Sequence, residues 1–211
     1  MKFKGIIFDL DGVICFTDKY HYQAWKQMAD KEGIYFDEII NNRLRGVSRM
    51  ASLEIILERA DKAYTEEEKE QMAYEKNETY KKLLYNMTTQ DLSQEVKDTL
   101  DALRAKGCKL AIGSSSRNTK LILGQLGLAD YFDAISDGTN ITRSKPDPEV
   151  FLKAADFLGL QPEDCLVVED AVAGIDAACA GGFESAGLGE AAEYEKCTYP
   201  MESFGELVSL G

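Results

Sequence analysis

The sequence contains few basic residues, a single histidine and no cysteine pair of the Cys-x-x-Cys type. Lys and Arg number 24 against 37 Asp and Glu, which gives a formal net charge of −13. Nucleic acids and anionic lipid surfaces are bound through clustered Lys and Arg, so both are set aside as partners. The five widely spaced cysteines argue against a disulfide framework and against a zinc site, and they favour buried or unreactive thiols.

Long apolar runs are also missing. The chain reaches Asp9 after only a short apolar stretch, which fits neither a signal peptide nor a membrane span, and we expect a cytoplasmic protein. No obvious exposed apolar pattern is present, so we expect a monomer. With 211 residues and 45% hydrophobic content, the chain can bury one full core and a smaller additional module.

Short apolar runs recur along the chain, and each ends abruptly in polar residues. They cover residues 5–8, 110–112, 134–135 and 166–168, with a weaker fifth run at 184–188. The runs do not alternate with polar residues, which is typical of parallel strands that are buried on both faces, and helical stretches separate them. This pattern predicts an α/β fold with a Rossmann-like parallel-sheet core.

The connection after the first run is too long for an ordinary loop between a strand and a helix. Apolar residues repeat there at helical spacing, and Thr65 with Glu68 has the form of a capping box. We therefore predict a small helical-bundle cap, residues 17–87, inserted into a core formed by residues 1–16 and 88–211. The cap could act as a lid that excludes water. The helical positions are His21, Trp25, Met28 and Ala29, followed by Leu53, Ile56, Leu57 and Ala60.

Acidic residues follow two of the predicted strands. Asp9 and Asp11 come after the first, and Glu169 and Asp170 after the fourth. Ligands of such sheets bind beyond the carboxyl ends of the strands, so these side chains should converge. A carboxylate can attack a phosphoryl group when a metal ion reduces the repulsion between the two anions. The arrangement indicates phosphoryl transfer with Asp9 as the nucleophile and a Mg²⁺ site beside it.

Asp9 and Asp11 have two other interpretations. They could simply cap the next element, and this possibility stays open. They could also begin a calcium loop of the Asp-x-Asp type. The twelfth position of such a loop would be Tyr20 instead of a bidentate Glu, which excludes the calcium loop.

Candidate phosphate-binding residues follow the second and third strands. Ser114, Ser116, Arg117 and Asn118 lead into a predicted helix near Leu121 and could form a phosphate cradle, or merely a turn that caps the helix. A second candidate is Lys145, which lies in a proline-restricted loop. Its ammonium could be aimed at a phosphoryl group, or it could be an ordinary surface charge.

The predicted cap offers further candidates. Arg45 and Arg49 lie on either side of a glycine turn and could clamp a second phosphate, although an exposed basic loop would look the same. A lone histidine on a helix is more often a packing or surface residue than a catalytic one. His21 is therefore kept only as a candidate near the substrate.

These motifs together resemble the haloacid dehalogenase-like superfamily. The segment from Phe8 to Val13, the strand end at Ser114, the Lys145 loop and the acidic pair after Val168 match its four motifs in order. Within the superfamily, residues 17–25 and 46–49 are similar to the sugar-phosphate mutases. The resemblance covers nearly the whole chain.

The resemblance implies a role for each matched residue. Asp9 would accept the phosphoryl group and Asp11 would be the general acid/base. Mg²⁺ would be bound by the Asp9 side chain, the Asp11 backbone carbonyl, Glu169 and Asp170. The implied substrate-binding residues are Ser114 and Lys145 at the transferring phosphoryl group, Arg49, Ser116 and Asn118 at the other phosphate, and Gly46, Val47 and Lys76 at the sugar. His21, Trp25, Arg45 and Arg117 are further substrate-binding candidates.

The implied reaction interconverts β-D-glucose 1-phosphate and glucose 6-phosphate through β-glucose 1,6-bisphosphate, which also serves as the primer. One alternative is a sugar-phosphate phosphatase on the same scaffold, and another is a non-catalytic phosphosugar-binding regulatory protein. A phosphonoacetaldehyde-type hydrolase is disfavoured because Arg45 cannot form a Schiff base. Arg45, where lysine is common, and Cys15 with Phe16 near the predicted hinge depart from the mutase pattern, which leaves sugar selectivity and lid motion in question.

Overall fold

The computed structural model describes residues 2–44 and 47–210. The predictions for Arg45 and Gly46 therefore lie outside the described residues. The chain divides into two compact units. We call Met1–Phe16 with Thr88–Gly211 the sheet unit, and Thr17–Met87 the helical unit.

The sheet unit contains a six-stranded sheet whose paired strands are all parallel, in the order β3-β2-β1-β4-β5-β6. The predicted parallel α/β core is confirmed. The last strand was not predicted, because two residues are too few to show a periodic pattern. The strands are β1 Gly5–Phe8, β2 Lys109–Gly113, β3 Ala134–Ser136, β4 Cys165–Glu169, β5 Glu184–Gly187 and β6 Tyr199–Pro200.

The helical unit packs its helices around an apolar core that includes Trp25, Leu53 and Ile56. The capping box is present: the Glu68 N–H donates to Thr65 Oγ1 (3.2 Å), and the Thr65 N–H donates to Glu68 Oε2 (2.7 Å). Ala60 packs against this core, but the helix in the structure already ends at Leu57, so the prediction of helix at Ala60 is wrong. The helices are α1 Asp18–Glu32, α2 Glu38–Asn42, α3 Arg49–Leu57 and α4 Glu66–Leu84.

Helices cover the sheet and bury both faces of β1. Ile7 packs on one face in a core with Phe151 and Ala178, whereas the Phe8 ring lies near the rings of Phe132 (6.2 Å) and Phe204 (5.7 Å). Such two-sided burial explains the continuous apolar runs of the sequence. The helices of this unit are α5 Gln94–Ala105, α6 Thr119–Gln125, α7 Glu149–Leu158 and α8 Val172–Ala180.

Among the helices of residues 2–44 and 47–210, none has both the length and the apolar character needed to cross a membrane.

The five cysteines differ in their exposure. Cys15, Cys108 and Cys165 are buried, as expected, whereas Cys179 is exposed and Cys197 is half-buried. Burial thus holds for three of the thiols, and the exposure of Cys179 does not by itself contradict the expectation of buried or unreactive thiols.

Candidate active site

Three carboxylates meet at the carboxyl edge of the sheet. Asp9 directly follows β1, Glu169 ends β4 and Asp170 comes next. Each offers an oxygen within 4.8 Å of those offered by the other two. The strand register produces this proximity, because Phe8 pairs with Val168 and the Asp9 N–H donates to the Val168 carbonyl at 2.9 Å.

Lys145 brings a positive charge into this group. Its ammonium donates to Asp9 Oδ1 and to Glu169 Oε1, and it lies 4.7 Å from the centre of the Phe151 ring. The lysine side chain is only 7% exposed. Burial alone would lower the pKa of Lys145, but the Asp9 and Glu169 carboxylates raise it above its usual value. The ammonium is therefore charged at neutral pH.

The carboxylates of Glu169, the last residue of β4, and of Asp170 bind protons more tightly than usual. Burial raises the pKa of Glu169, and the Lys145 charge opposes this rise. Burial and then the charges of Glu169, Asp9 and Asp11 raise the pKa of Asp170 to about 8. One ammonium thus faces three carboxyl groups, and the raised pKa values of Glu169 and Asp170 mean that ionising all of them together is unfavourable without a further positive charge.

This donor set fits a small divalent cation. Mg²⁺ prefers oxygen ligands and commonly takes them from a few carboxylates and a substrate phosphate. Asp9, Glu169 and Asp170 offer three oxygens at close range, two of the side chains are buried, and a dication would favour the ionised form of each carboxyl. We conclude that these residues could hold Mg²⁺.

Two glycines make room for the carboxylates. Gly12 has φ +90°, a conformation that favours glycine, and a β-carbon there would stand 2.0 Å from Asp170 Oδ2. A β-carbon at Gly174, in the first turn of α8, would stand 1.9 Å from Glu169 Cδ. Any larger residue at either position would displace a carboxylate of the group.

Asp11 lies beside the three carboxylates, and its own carboxylate is not one of them. Its backbone N–H donates to Asp9 Oδ2 at 3.0 Å. Its charge contributes to the raised pKa values of Asp170 and of the buried Cys15 thiol. The predicted metal contact of Asp11 is through its backbone carbonyl, and this stays a prediction.

The serine loop after β2 is organised by its own side chains. The Ser116 N–H donates to Ser114 Oγ and the Asn118 N–H to Ser116 Oγ, both at 3.2 Å. Ser114 and Asn118 are buried, whereas Arg117 is exposed. These hydrogen bonds order the loop itself, and both interpretations of the loop stay open. Because β1 and β2 pair in register, Ser114 lies at the same edge of the sheet as Asp9.

His21 and Lys76 meet inside the helical unit. Lys76 Nζ lies 2.9 Å from His21 Nδ1, and it also stands over the rings of Trp25 (4.5 Å) and Tyr80 (4.8 Å). Burial lowers the pKa of His21 well below its usual value, and the charges of Lys76 and Arg49 lower it further. The ammonium carries only donors, so His21 Nδ1 accepts and the ring proton is on Nε2.

Val47 and Arg49 are the remaining described candidates of the helical unit, and both are partly accessible. Val47 is 38% exposed. Arg49 begins α3 directly after Ser48, whose side chain accepts a hydrogen bond from the Ala51 N–H.

Sequence reasoning missed two residues close to His21, namely Tyr80 and Thr17. The Tyr80 ring stacks on His21 with centroids 4.0 Å apart, and the Tyr80 hydroxyl lies 2.9 Å from Thr17 Oγ1. Thr17 and His21 are four residues apart, as are Lys76 and Tyr80, a spacing that places each pair on one helix face. That spacing was a usable signal, but it does not reveal that α1 packs against α4.

Comparison with known proteins agrees with this geometry. A family model described as "haloacid dehalogenase-like hydrolase" matches residues 3–182. The chain is 43% identical over 189 residues to a β-phosphoglucomutase from Bacillus subtilis, covering 89% of this chain and 84% of that protein. It is also 32% identical over 190 residues to a fructose-1-phosphate phosphatase from Escherichia coli, covering 87% of this chain and 95% of that protein.

A solved structure is similar over almost the full length. The crystal structure of a β-phosphoglucomutase from Clostridium difficile superimposes with a TM-score of 0.89 at 39% sequence identity. The match covers 97% of this chain and 93% of that one. The similarity therefore includes both the sheet unit and the helical unit.

Proposed function

Because the chain belongs to the haloacid dehalogenase-like hydrolase family, we propose that it is a β-phosphoglucomutase that interconverts β-D-glucose 1-phosphate and glucose 6-phosphate. The observation that carries the phosphoryl-transfer chemistry is the buried group in which Lys145 contacts both Asp9 and Glu169, with Asp170 beside them. The 43% identity to the B. subtilis β-phosphoglucomutase supports the substrate.

Asp9 is the proposed nucleophile. One of its carboxylate oxygens attacks the phosphorus of the bound ester, and the sugar oxygen leaves as phospho-Asp9 forms. Lys145 supplies positive charge where the transferring group carries negative charge. A Mg²⁺ ion held by Asp9, Glu169, Asp170 and the Asp11 carbonyl would reduce the repulsion between the two anions.

Asp11 is the proposed general acid/base. Its carboxyl takes the proton of the sugar hydroxyl that attacks phospho-Asp9, and it returns a proton to the leaving sugar oxygen in the other half-reaction. β-D-Glucose 1-phosphate would first become β-glucose 1,6-bisphosphate. After this intermediate reorients, its other phosphate would return to Asp9 and release glucose 6-phosphate.

Substrate binding completes the proposal. We propose that the enzyme works as a cytoplasmic monomer on a small phosphosugar, since its composition offers no basic cluster for other partners. The proposed ligands of the transferring phosphate are Ser114 and Lys145, those of the second phosphate are Arg49, Ser116 and Asn118, and those of the sugar are Val47, Lys76 and, outside the described residues, Gly46. His21, Trp25, Arg117 and, also outside the described residues, Arg45 are further proposed substrate-binding residues.

A phosphatase on the same scaffold is the second candidate. The 32% identity to the E. coli fructose-1-phosphate phosphatase favours it, and only the acceptor would differ, because water would attack phospho-Asp9. The exclusion of water from phospho-Asp9 thus decides between the two functions.

Phosphorus NMR separates the candidates in one sample. Purified protein is mixed with Mg²⁺, β-D-glucose 1-phosphate and a trace of β-glucose 1,6-bisphosphate, and glucose 6-phosphate and inorganic phosphate are followed together. We expect glucose 6-phosphate to form with little inorganic phosphate, and a sample without the bisphosphate to show a lag. Predominant inorganic phosphate would establish the phosphatase, and the absence of both products would contradict the proposed substrate.

A further inference from the structure

Two of the five cysteines are accessible, and they lie on neighbouring segments of the sheet unit. Cys179 is exposed near the end of α8, and Cys197 is half-buried shortly before β6. The other three thiols are buried. The accessible thiols belong to no part of the proposed catalytic site.

Three contacts hold these two segments together. The Tyr194 hydroxyl donates to Asp176 Oδ1 at 3.0 Å, and Lys196 Nζ donates to the same oxygen at 2.7 Å. Cys179 Sγ donates to the Lys196 carbonyl at 3.7 Å. That carbonyl belongs to the peptide unit that continues into Cys197, so the Cys179 thiol lies beside the backbone of its potential partner.

The surroundings of Cys197 distinguish the two thiols. A β-carbon at Gly187 would stand 2.6 Å from Cys197 Sγ, so this sulfur packs against the backbone of β5. Burial raises the pKa of Cys197, and the charge of an ionised Cys179 raises it further, which is consistent with two neighbouring sulfurs. Cys179 is thus the thiol that a reagent meets first, and Cys197 is a protected second thiol.

We propose that Cys179 and Cys197 form a redox-active dithiol that a small-molecule disulfide, such as glutathione disulfide, oxidises to an intramolecular disulfide. The Cys179 thiolate attacks one sulfur of glutathione disulfide and releases one glutathione. The Cys197 thiolate then attacks the Cys179 sulfur of the mixed disulfide and releases the second glutathione. The two protons of the protein thiols end on the two glutathione molecules, which receive the two electrons.

The new bond would join α8 to a segment that supports the acidic pair. The Leu188 N–H donates to the Glu169 carbonyl at 2.8 Å, and the Ala191 N–H donates to the Asp170 carbonyl at 3.1 Å. The loop closed between residues 179 and 197 contains these donors. A bond that closes this loop restricts the unfolded chain, so the oxidised protein should melt at a higher temperature.

Peptide mapping tests the proposal directly. The folded protein is incubated with glutathione disulfide, free thiols are alkylated, and the chain is cleaved after glutamate under non-reducing conditions. Cleavage after Glu169 and Glu184 isolates Cys179, and cleavage after Glu195 and Glu202 isolates Cys197. We expect these two peptides to be linked to each other, with Cys15, Cys108 and Cys165 alkylated only after unfolding.

Variants check the order of the steps. Cys197→Ser should accumulate glutathione on Cys179, Cys179→Ser should form no bridge, and the control Cys108→Ser should form the bridge like the parent. Dithiothreitol should reverse both the link and the rise in melting temperature. Glutathione that stays on Cys179 in the parent protein, a disulfide between two chains, or thiols that remain unmodified would each overturn the proposal.

Discussion

The Gly174 backbone lies against the side chain of Glu169, and a β-carbon at residue 174 would stand 1.9 Å from Glu169 Cδ and 2.0 Å from Oε1. Glu169 has no room to yield, because it is 1% exposed and its carboxylate also accepts the backbone N–H groups of Asp170 and Ala171. The absence of a side chain at Gly174 therefore helps to set the position of a proposed metal ligand.

Gly174→Ala should weaken Mg²⁺ binding by at least about tenfold, the effect typical of losing a group that orients metal ligands. Isothermal titration of metal-free protein with MgCl₂ measures this without turnover. The control is Gly124→Ala in α6, where a β-carbon meets nothing within 4 Å. That variant should bind Mg²⁺ normally and gain about 0.5–1 kcal/mol in stability. Equal Mg²⁺ affinity in the two variants would show that Gly174 does not position Glu169.

Lys145→Met should destabilise the metal-free protein by about 3–5 kcal/mol, because it leaves the carboxylates of Asp9 and Glu169 without their buried partner. It should also lower kcat by about 10²–10³-fold, since a charge at the transferring phosphoryl group is lost. Urea unfolding in EDTA and the NMR assay measure the two effects. The control Lys97→Met removes an exposed ion pair with Asp101 (3.0 Å) and should cost at most about 0.5 kcal/mol. Similar losses in both variants would contradict the buried ion pair.

The ionised carboxylate of Glu149 should stabilise the fold, so the free energy of unfolding should fall when acid protonates it. Lys153 and the backbone N–H groups of Arg143 and Thr142 hold the pKa of Glu149 down at about 2, below the value of an unfolded glutamate. The unfolded chain then binds the proton more tightly, so the contribution is complete above about pH 4.3 and is lost as pH falls towards 2. Glu149 anchors the start of the loop that carries Lys145.

Urea midpoints measured between pH 2.5 and 7 test this. Glu149→Gln should be less stable than the parent at pH 7, and the difference should shrink as the pH falls through this window. Glu163→Gln, which changes an exposed glutamate, should follow the parent curve. A constant difference between Glu149→Gln and the parent across the whole range would be evidence against the proton linkage.

His21 should stay neutral in mildly acidic solution. Burial and the charges of Lys76 and Arg49 hold its pKa well below 6.5, whereas the unfolded chain takes up the proton near pH 6.5. Its contribution to stability is therefore present above pH 6.5 and is lost as the pH falls below it. Nitrogen-15 NMR should show the Nε2-protonated tautomer at pH 6, and Lys76→Met should raise the His21 pKa. Titration of the parent His21 near pH 6.5 would exclude the arrangement.

Asp9→Asn should abolish turnover, because an amide cannot accept the phosphoryl group. Asp11→Asn should lower kcat by about 10²–10⁴-fold, the contribution usual for a general acid/base. Both substitutions keep the side-chain size, and circular dichroism should show an unchanged fold. Wild-type rates of glucose 6-phosphate formation in either variant would rule out the proposed role of that residue.

The parallel sheet was predictable because strands buried on both faces must be apolar at every position, and that property is local. The capping box at Thr65 was predictable for the same reason, since its partners are three residues apart. The helix end before Ala60 was not, because an apolar residue packs equally well from the turn that follows a helix.

The acidic residues after β1 and β4 could be brought to one edge of the sheet from sequence alone, since parallel strands end on the same side. The contacts of Lys145 with Asp9 and Glu169 span 136 and 24 residues, and those of His21 with Lys76 span 55. No local pattern encodes such distances. Packing alone determined which ammonium neutralises which carboxylate, which glycine makes room for Glu169, and which cysteines remain accessible, because these depend on side chains that meet only after the elements have assembled.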